Sequence, residues 1–126
     1  MDTNILPILQ EDDIVTDSEN TIIENVHIPG NLNIKAGKTL NIKNLVISAY
    51  SEITLEAEEI NIDGIKIIDP ASNEADYEKE YILIHLYCVK SNINNAKGRV
   101  LLSYRESDVN VKNSDGVVKV DNIRVR

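Results

Sequence analysis

The sequence predicts an all-β chain wound as a small right-handed parallel β-helix, a β-solenoid of about six coils with an N-terminal cap segment. Three observations lead there. An octet of the form apolar-x-apolar, two corner residues, apolar-x-apolar recurs along the chain. The second corner residue is Asn or Gly in the clearest copies. The apolar load falls on Ile, Val and Leu, because the 126 residues include five Tyr but no Phe and no Trp. β-Branched side chains pack well on a pleated surface. Gly 5 and Pro 3 are too few for a collagen-like or disordered chain.

The octet is clearest at 40–47 (LNIKNLVI), 60–67 (INIDGIKI) and 118–125 (VKVDNIRV). Looser copies lie at 21–28 (TIIENVHI) and 82–89 (ILIHLYCV), and a degenerate one begins at Val100 and Leu102. Their starts are separated by 19, 20, 22, 18 and 18 residues, the regularity of one unit repeated. A further apolar pair precedes several octets: Leu32 with Ile34, Ile53 with Leu55, Val109 with Val111. Each period then holds three short strands with one wet and one dry face. Such strands are too short for a hairpin core, but coils stacked about 4.8 Å apart bury their inward residues against one another.

At the corner stand Asn25, Asn44, Gly64 and Asn122. Asn and Gly enter the left-handed backbone region at least cost, which lets a two-residue corner turn the strand without sending it back on itself. With these corners, the segments ENVHI, KNLVI, DGIKI and DNIRV resemble the right-handed parallel β-helix of the pectate-lyase-like superfold over about residues 21–126. The resemblance implies architecture and identifies no family, since such superfolds host many functions. His85-Leu86 and Ser103-Tyr104 occupy corner slots and depart from the pattern.

The sequence divides into a cap or arm at 1–20 and a solenoid domain at 21–126. The first segment carries Ile5, Leu6, Ile8 and Leu9 beside the acidic run Glu11-Asp12-Asp13. Residues 69–80 (DPASNEADYEKE) interrupt the repeat as a loop insertion. Asp69, Asn73, Glu74, Asp76, Tyr77 and Glu78 are its candidate binding residues. Their oxygens lack the D-x-D-x-D-G spacing that wraps a chain around Ca²⁺, so no metal site is expected. The sequence stops at Arg126, directly after the last strand. Ile123, Val125 and Arg126 are therefore the candidate interface of an exposed last coil.

No catalytic motif emerges and no cofactor is implied. His27 and His85 fall at a polar slot and a corner about three coils apart, too far for one zinc. Cys88 lies within a strand pattern and reads as a buried or half-buried strand residue. Ala36-Gly37-Lys38-Thr39 lacks the earlier Gly and the following helix of a phosphate loop. A net charge of −8 excludes nonspecific binding to nucleic acid or anionic lipid. The N-terminus has no signal-peptide pattern, and no run of eighteen apolar residues suggests membrane insertion. The expected location is cytoplasmic, or associated with a virion or secretion system.

The leading expectation is a non-enzymatic structural or assembly module that binds itself, as a homo-oligomer through its C-terminal coil, or another protein. Bactofilin-like filaments and phage or secretion-system spikes are the analogies. One alternative is an acidic inhibitor that mimics nucleic acid, which needs a continuous carboxylate stripe. Another is a carbohydrate-binding module using Tyr50, Tyr81 and Tyr104, with Tyr87 assigned to the core.

Overall fold

The computed structural model describes residues 13–68 and 81–121. Among them are ten strands and no helix: β1 (Asp13–Val15), β2 (Asn20–Ile28), β3 (Leu32–Lys35), β4 (Thr39–Ser48), β5 (Glu52–Glu56), β6 (Glu59–Ile68), β7 (Tyr81–Tyr87), β8 (Lys90–Tyr104), β9 (Asp108–Lys112) and β10 (Asp115–Asp121). Every pairing between them is parallel. The chain is a right-handed parallel β-solenoid of about five turns.

Three faces follow from the register. The first stacks the leading halves of β2, β4, β6 and β8 beneath β9, with Ile23, Ile42, Ile62, Ile93 and Val111 in one inward column. The second takes the trailing halves of β2, β4 and β6 and residues 96–97 of β8, with Val26, Leu45, Ile65 and Ala96 in a column. The third stacks β1, β3, β5, β7, residues 99–104 of β8 and β10, with Leu32, Ile53, Ile84 and Leu102 inward. Strict alternation makes this possible: in β5 and β7 every second residue is buried. The aliphatic interior is almost dry, with Leu40, Ile53, Ile60, Ile82 and Ile84 at 0% exposure. Each such side chain contributes about 1.5–3 kcal/mol relative to leaving it in water.

Between the first and second faces runs a column of left-handed residues. Asn25, Asn44, Gly64, Asn95 and Asn113 have φ of 56, 54, 99, 58 and 51° and stack coil on coil. Asn122, the remaining corner candidate, lies outside the described residues.

The register corrects the octet alignment beyond residue 68. Residues 91–98 (SNINNAKG), not 82–89, continue the corner-bearing faces above 60–67, because Ile62 pairs with Ile93 and Ile65 with Ala96. Ile82, Ile84 and Leu86 instead fill the third face, opposite Val100, Leu102 and Tyr104. Tyr87 and Val89 therefore stand outside the core at 58% and 71% exposure. Val118 and Val120 of the last octet pair with Leu101 and Ser103 on the outer side of the third face, 46% and 41% exposed. One coil is long: stacked Asn61 and Asn92 are 31 residues apart, whereas Asn41 and Asn61 are 20 apart. That coil contains residues 69–80.

Residues 13–15, expected within the cap or arm, form β1 and pair with β3 as part of the third face.

Candidate assembly surfaces

At the terminal coils lie strand edges that no described residue pairs. Among the described residues β9 and β10 pair only with β8, while β2 pairs only with β4 and β1 only with β3. Each edge leaves a row of backbone N–H and C=O groups on its outer side. The inward residues of these coils, Ile14, Ile23 and Val26 at one end and Val111 and Val117 at the other, are only partly buried. The C-terminal mouth carries one charged group where the column would continue apolar. Lys119 is the partner of Leu102, and its Nζ donates to the Val109 carbonyl 3.2 Å away.

Outward columns on the first face are polar and ordered. Asn41, Asn61, Asn92 and Asn110 follow one another up the face. Asn61 Nδ2 donates to Asn41 Oδ1 at 3.1 Å, and Asn92 Nδ2 to Asn61 Oδ1 at 2.8 Å. Alongside them runs the column Glu24, Lys43, Asp63, Asn94 and Lys112, in which charge alternates in sign. No continuous carboxylate stripe appears in it. On the third face Lys35 Nζ lies 3.4 Å from Glu56 Oε2.

A groove of about 1050 Å³ opens on the second face, bordered by Val46, Lys66, Lys97, Arg99 and Asp115. It arises because the coil narrows. In β4 and β6 four residues follow the Asn44 and Gly64 corner, whereas in β8 only Ala96 and Lys97 precede Gly98, whose φ of 115° turns the chain early. A Cβ at Gly98 would lie 2.9 Å from the Ile67 Cδ1 methyl, which would have to shift to admit it. Lys66 and Lys97 are direct cross-strand partners, and neither has an ion-pair partner among the described residues.

The remaining polar groups are dispersed. His27 Nε2 is 3.0 Å from Ser48 Oγ, and His85 Nε2 is 2.6 Å from Glu52 Oε1, on different faces of the solenoid. Cys88 is half-buried, its Sγ 3.3 Å from Ser107 Oγ. Among the described residues no three His, Cys, Asp or Glu side chains gather around a common point. Exposed Tyr50 and Tyr81 meet edge to face, centroids 5.5 Å apart and planes at 87°, and so offer no shared stacking platform.

Of the residues singled out from sequence, Asn25, Asn44 and Gly64 come together in the corner column. The interface candidates Ile123, Val125 and Arg126 lie outside the described residues, as do Asp69, Asn73, Glu74, Asp76, Tyr77 and Glu78 of the loop. Sequence reasoning missed Asn95, Asn113, the Asn41 to Asn110 column and the Lys66–Lys97 pair. A search for Asn at 18–20-residue spacing, made independently of apolar pattern, finds both missed corners. No helix among the described residues is long and apolar enough to cross a membrane. Comparison with protein-family models, with curated proteins and with solved structures gives no match.

Proposed function

We propose that the protein is a non-enzymatic assembly module: a rigid β-solenoid that associates with copies of itself through its terminal coils. The observation that carries this reading is the pair of parallel edges left without a partner among the described residues, β2 at one end and β9 at the other, each over half-covered apolar residues. An unpaired edge is a template for strand addition, and a parallel solenoid supplies the same strand spacing at both ends. Bactofilin-like or spike-like assemblies are the functional analogies. The test is solution mass of the full chain by sedimentation velocity over a wide concentration range. Growth of mass with concentration supports the reading, and a monomer throughout overturns it.

The groove beside Gly98 supports a second reading, in which another protein docks there. In a chain of net charge −8, the paired Lys66 and Lys97 form a local cationic site, and its complement is an acidic segment of a partner. Lys66→Glu with Lys97→Glu should abolish capture of an acidic peptide while leaving the melting midpoint unchanged. The nucleic-acid-mimic reading draws no support from the alternating column, nor the carbohydrate reading from the edge-on tyrosines.

A further inference from the structure

Resting on the docking reading of the groove, we infer that its occupant is an extended segment of a partner protein, acidic at one end and apolar at the other. It lies across the corner between the second and third faces, its carboxylates on Lys66 and Lys97 and its apolar side chains on Val118, Leu101 and Leu83.

The cationic half is marked by a break in the charge pattern. On the first face the column of Glu24, Lys43 and Asp63 alternates in sign, and on the third face Lys35 stands against Glu56. On the second face the outward column reads His27, Val46, Lys66, Lys97 and Asp115. Lys66 and Lys97 are thus direct partners of like charge, an arrangement that costs stability in a sheet, and both residues are exposed. The chain has 21 acidic residues, yet among the described ones none forms an ion pair with either lysine, Asp115 included. An anion laid between the two ammonium groups removes their repulsion, so the pair favours a complex more than it favours the fold. Arg99 borders the same groove and adds to its positive potential.

The apolar half lies around the corner. Leu83 stands between buried Ile82 and Ile84, and Leu101 between buried Val100 and Leu102, so alternation turns both outward, where they are half-buried. Leu83 pairs with Leu101, and Leu101 with Val118, which is exposed. An aliphatic column therefore climbs the outer side of the third face over three coils. Such a column adds nothing to the core, and contiguous outward apolar residues mark a contact surface. Val118 belongs to both halves, because it also lines the groove with Lys66 and Lys97.

The narrow coil brings the halves within reach of one short segment. Gly98 turns β8 directly after Lys97, and four residues of chain, at most about 14 Å, lead from Lys97 to Leu101. A segment of about five extended residues spans that distance. Its path crosses Gly98 and Gly116, which have no side chain to obstruct it. A neutral apolar segment would leave the lysines unpaired, and a purely acidic one would leave the aliphatic column in water.

The experiment uses the full chain and calorimetric titration with the peptide Glu-Asp-Ser-Gly-Leu-Val-Leu. One control peptide carries Ser at the three apolar positions, and another carries Gln and Asn in place of the acids. Each control should bind about tenfold more weakly than the parent peptide. Lys66→Gln with Lys97→Gln should weaken the parent peptide about tenfold and remove the salt dependence of binding. Val118→Ser should weaken it about fivefold with the salt dependence unchanged. The three substituted residues are exposed, so melting midpoints should stay near that of wild type. Equal binding of the parent and its Ser control, or no effect of Val118→Ser, overturns the inference while the acidic-segment reading stands. Failure of both acidic peptides to bind, or binding undiminished in the lysine variant, overturns both. If the peptides fail and Val118→Ser instead lowers self-association of the chain, the corner is a contact between copies and the inference falls.

Discussion

Asn44 donates from Nδ2 to Asn25 Oδ1 across 2.9 Å, and both residues hold left-handed backbone, φ 54° and 56°. One residue type thus supplies the conformation of the corner and the bond that ties a coil to its neighbour. Asn44→Val should lower stability by about 1–2 kcal/mol, because a β-branched residue is strained in that region. Asn44→Gly keeps the backbone and loses only an exposed amide bond, so it should cost less. Urea denaturation of the three chains checks the order; equal midpoints for wild type and Asn44→Val would refute it.

Gly116 and Gly30 should respond oppositely to alanine. A Cβ at Gly116 would lie 2.5 Å from the Gly98 carbonyl oxygen with φ at +87°, whereas one at Gly30 meets nothing within 4 Å. Gly116→Ala is expected to cost at least about 2 kcal/mol. Gly30→Ala should be neutral, or stabilise by about 0.4–1 kcal/mol by narrowing the unfolded ensemble. Thermal midpoints of the two variants give the comparison.

Ser91 is fully buried in the column of Leu40, Ile60 and Val109, and its Oγ has no hydrogen-bond partner among the described residues. Ser91→Ala removes an unsatisfied hydroxyl at little loss of volume. Stability should rise by about 1 kcal/mol, read as a higher urea midpoint at unchanged slope. A lower midpoint would mean that the hydroxyl is satisfied.

Lys119 sets a limit on stacking at the C-terminal mouth, where its ammonium group occupies a Val109 carbonyl of the edge strand. Lys119→Leu frees that carbonyl and continues the apolar column above Leu102. Sedimentation velocity should show greater mass for the variant at the same concentration; equal or lower mass would remove Lys119 as a brake on association.

The three-faced coil was legible from sequence where inward residues are large and aliphatic. The segments 21–28, 40–47 and 60–67 stack as their pattern suggests. The reading lost phase at the insertion. From Ile60 the next strong apolar run begins at Ile82, near one coil length, and a run such as Ile82-x-Ile84-x-Leu86 suits any face. The true continuation, SNINNAKG, places Ser91 and Ala96 where the preceding coil has Ile60 and Ile65, and both are fully buried. Small residues fill an inward slot without an apolar signal, so the corner at Asn95 was hidden. The candidate surfaces were harder still. The amide ladders, the alternating column and the Lys66–Lys97 pair exist only between coils, and cross-coil neighbours cannot be identified until the register is known.

The long coil separates winding from length. Ala49 N donates to the Ile68 carbonyl at 2.8 Å and Tyr50 N to the Tyr81 carbonyl at 2.6 Å, so the two ends of the twelve-residue insertion are held by adjacent residues of the coil beneath. Closing a longer excursion between ends already pinned together adds little entropy, about 0.6 kcal/mol for each doubling of length. The position between Ile68 and Tyr81 is thus a port at which foreign sequence can be carried without rewinding the solenoid.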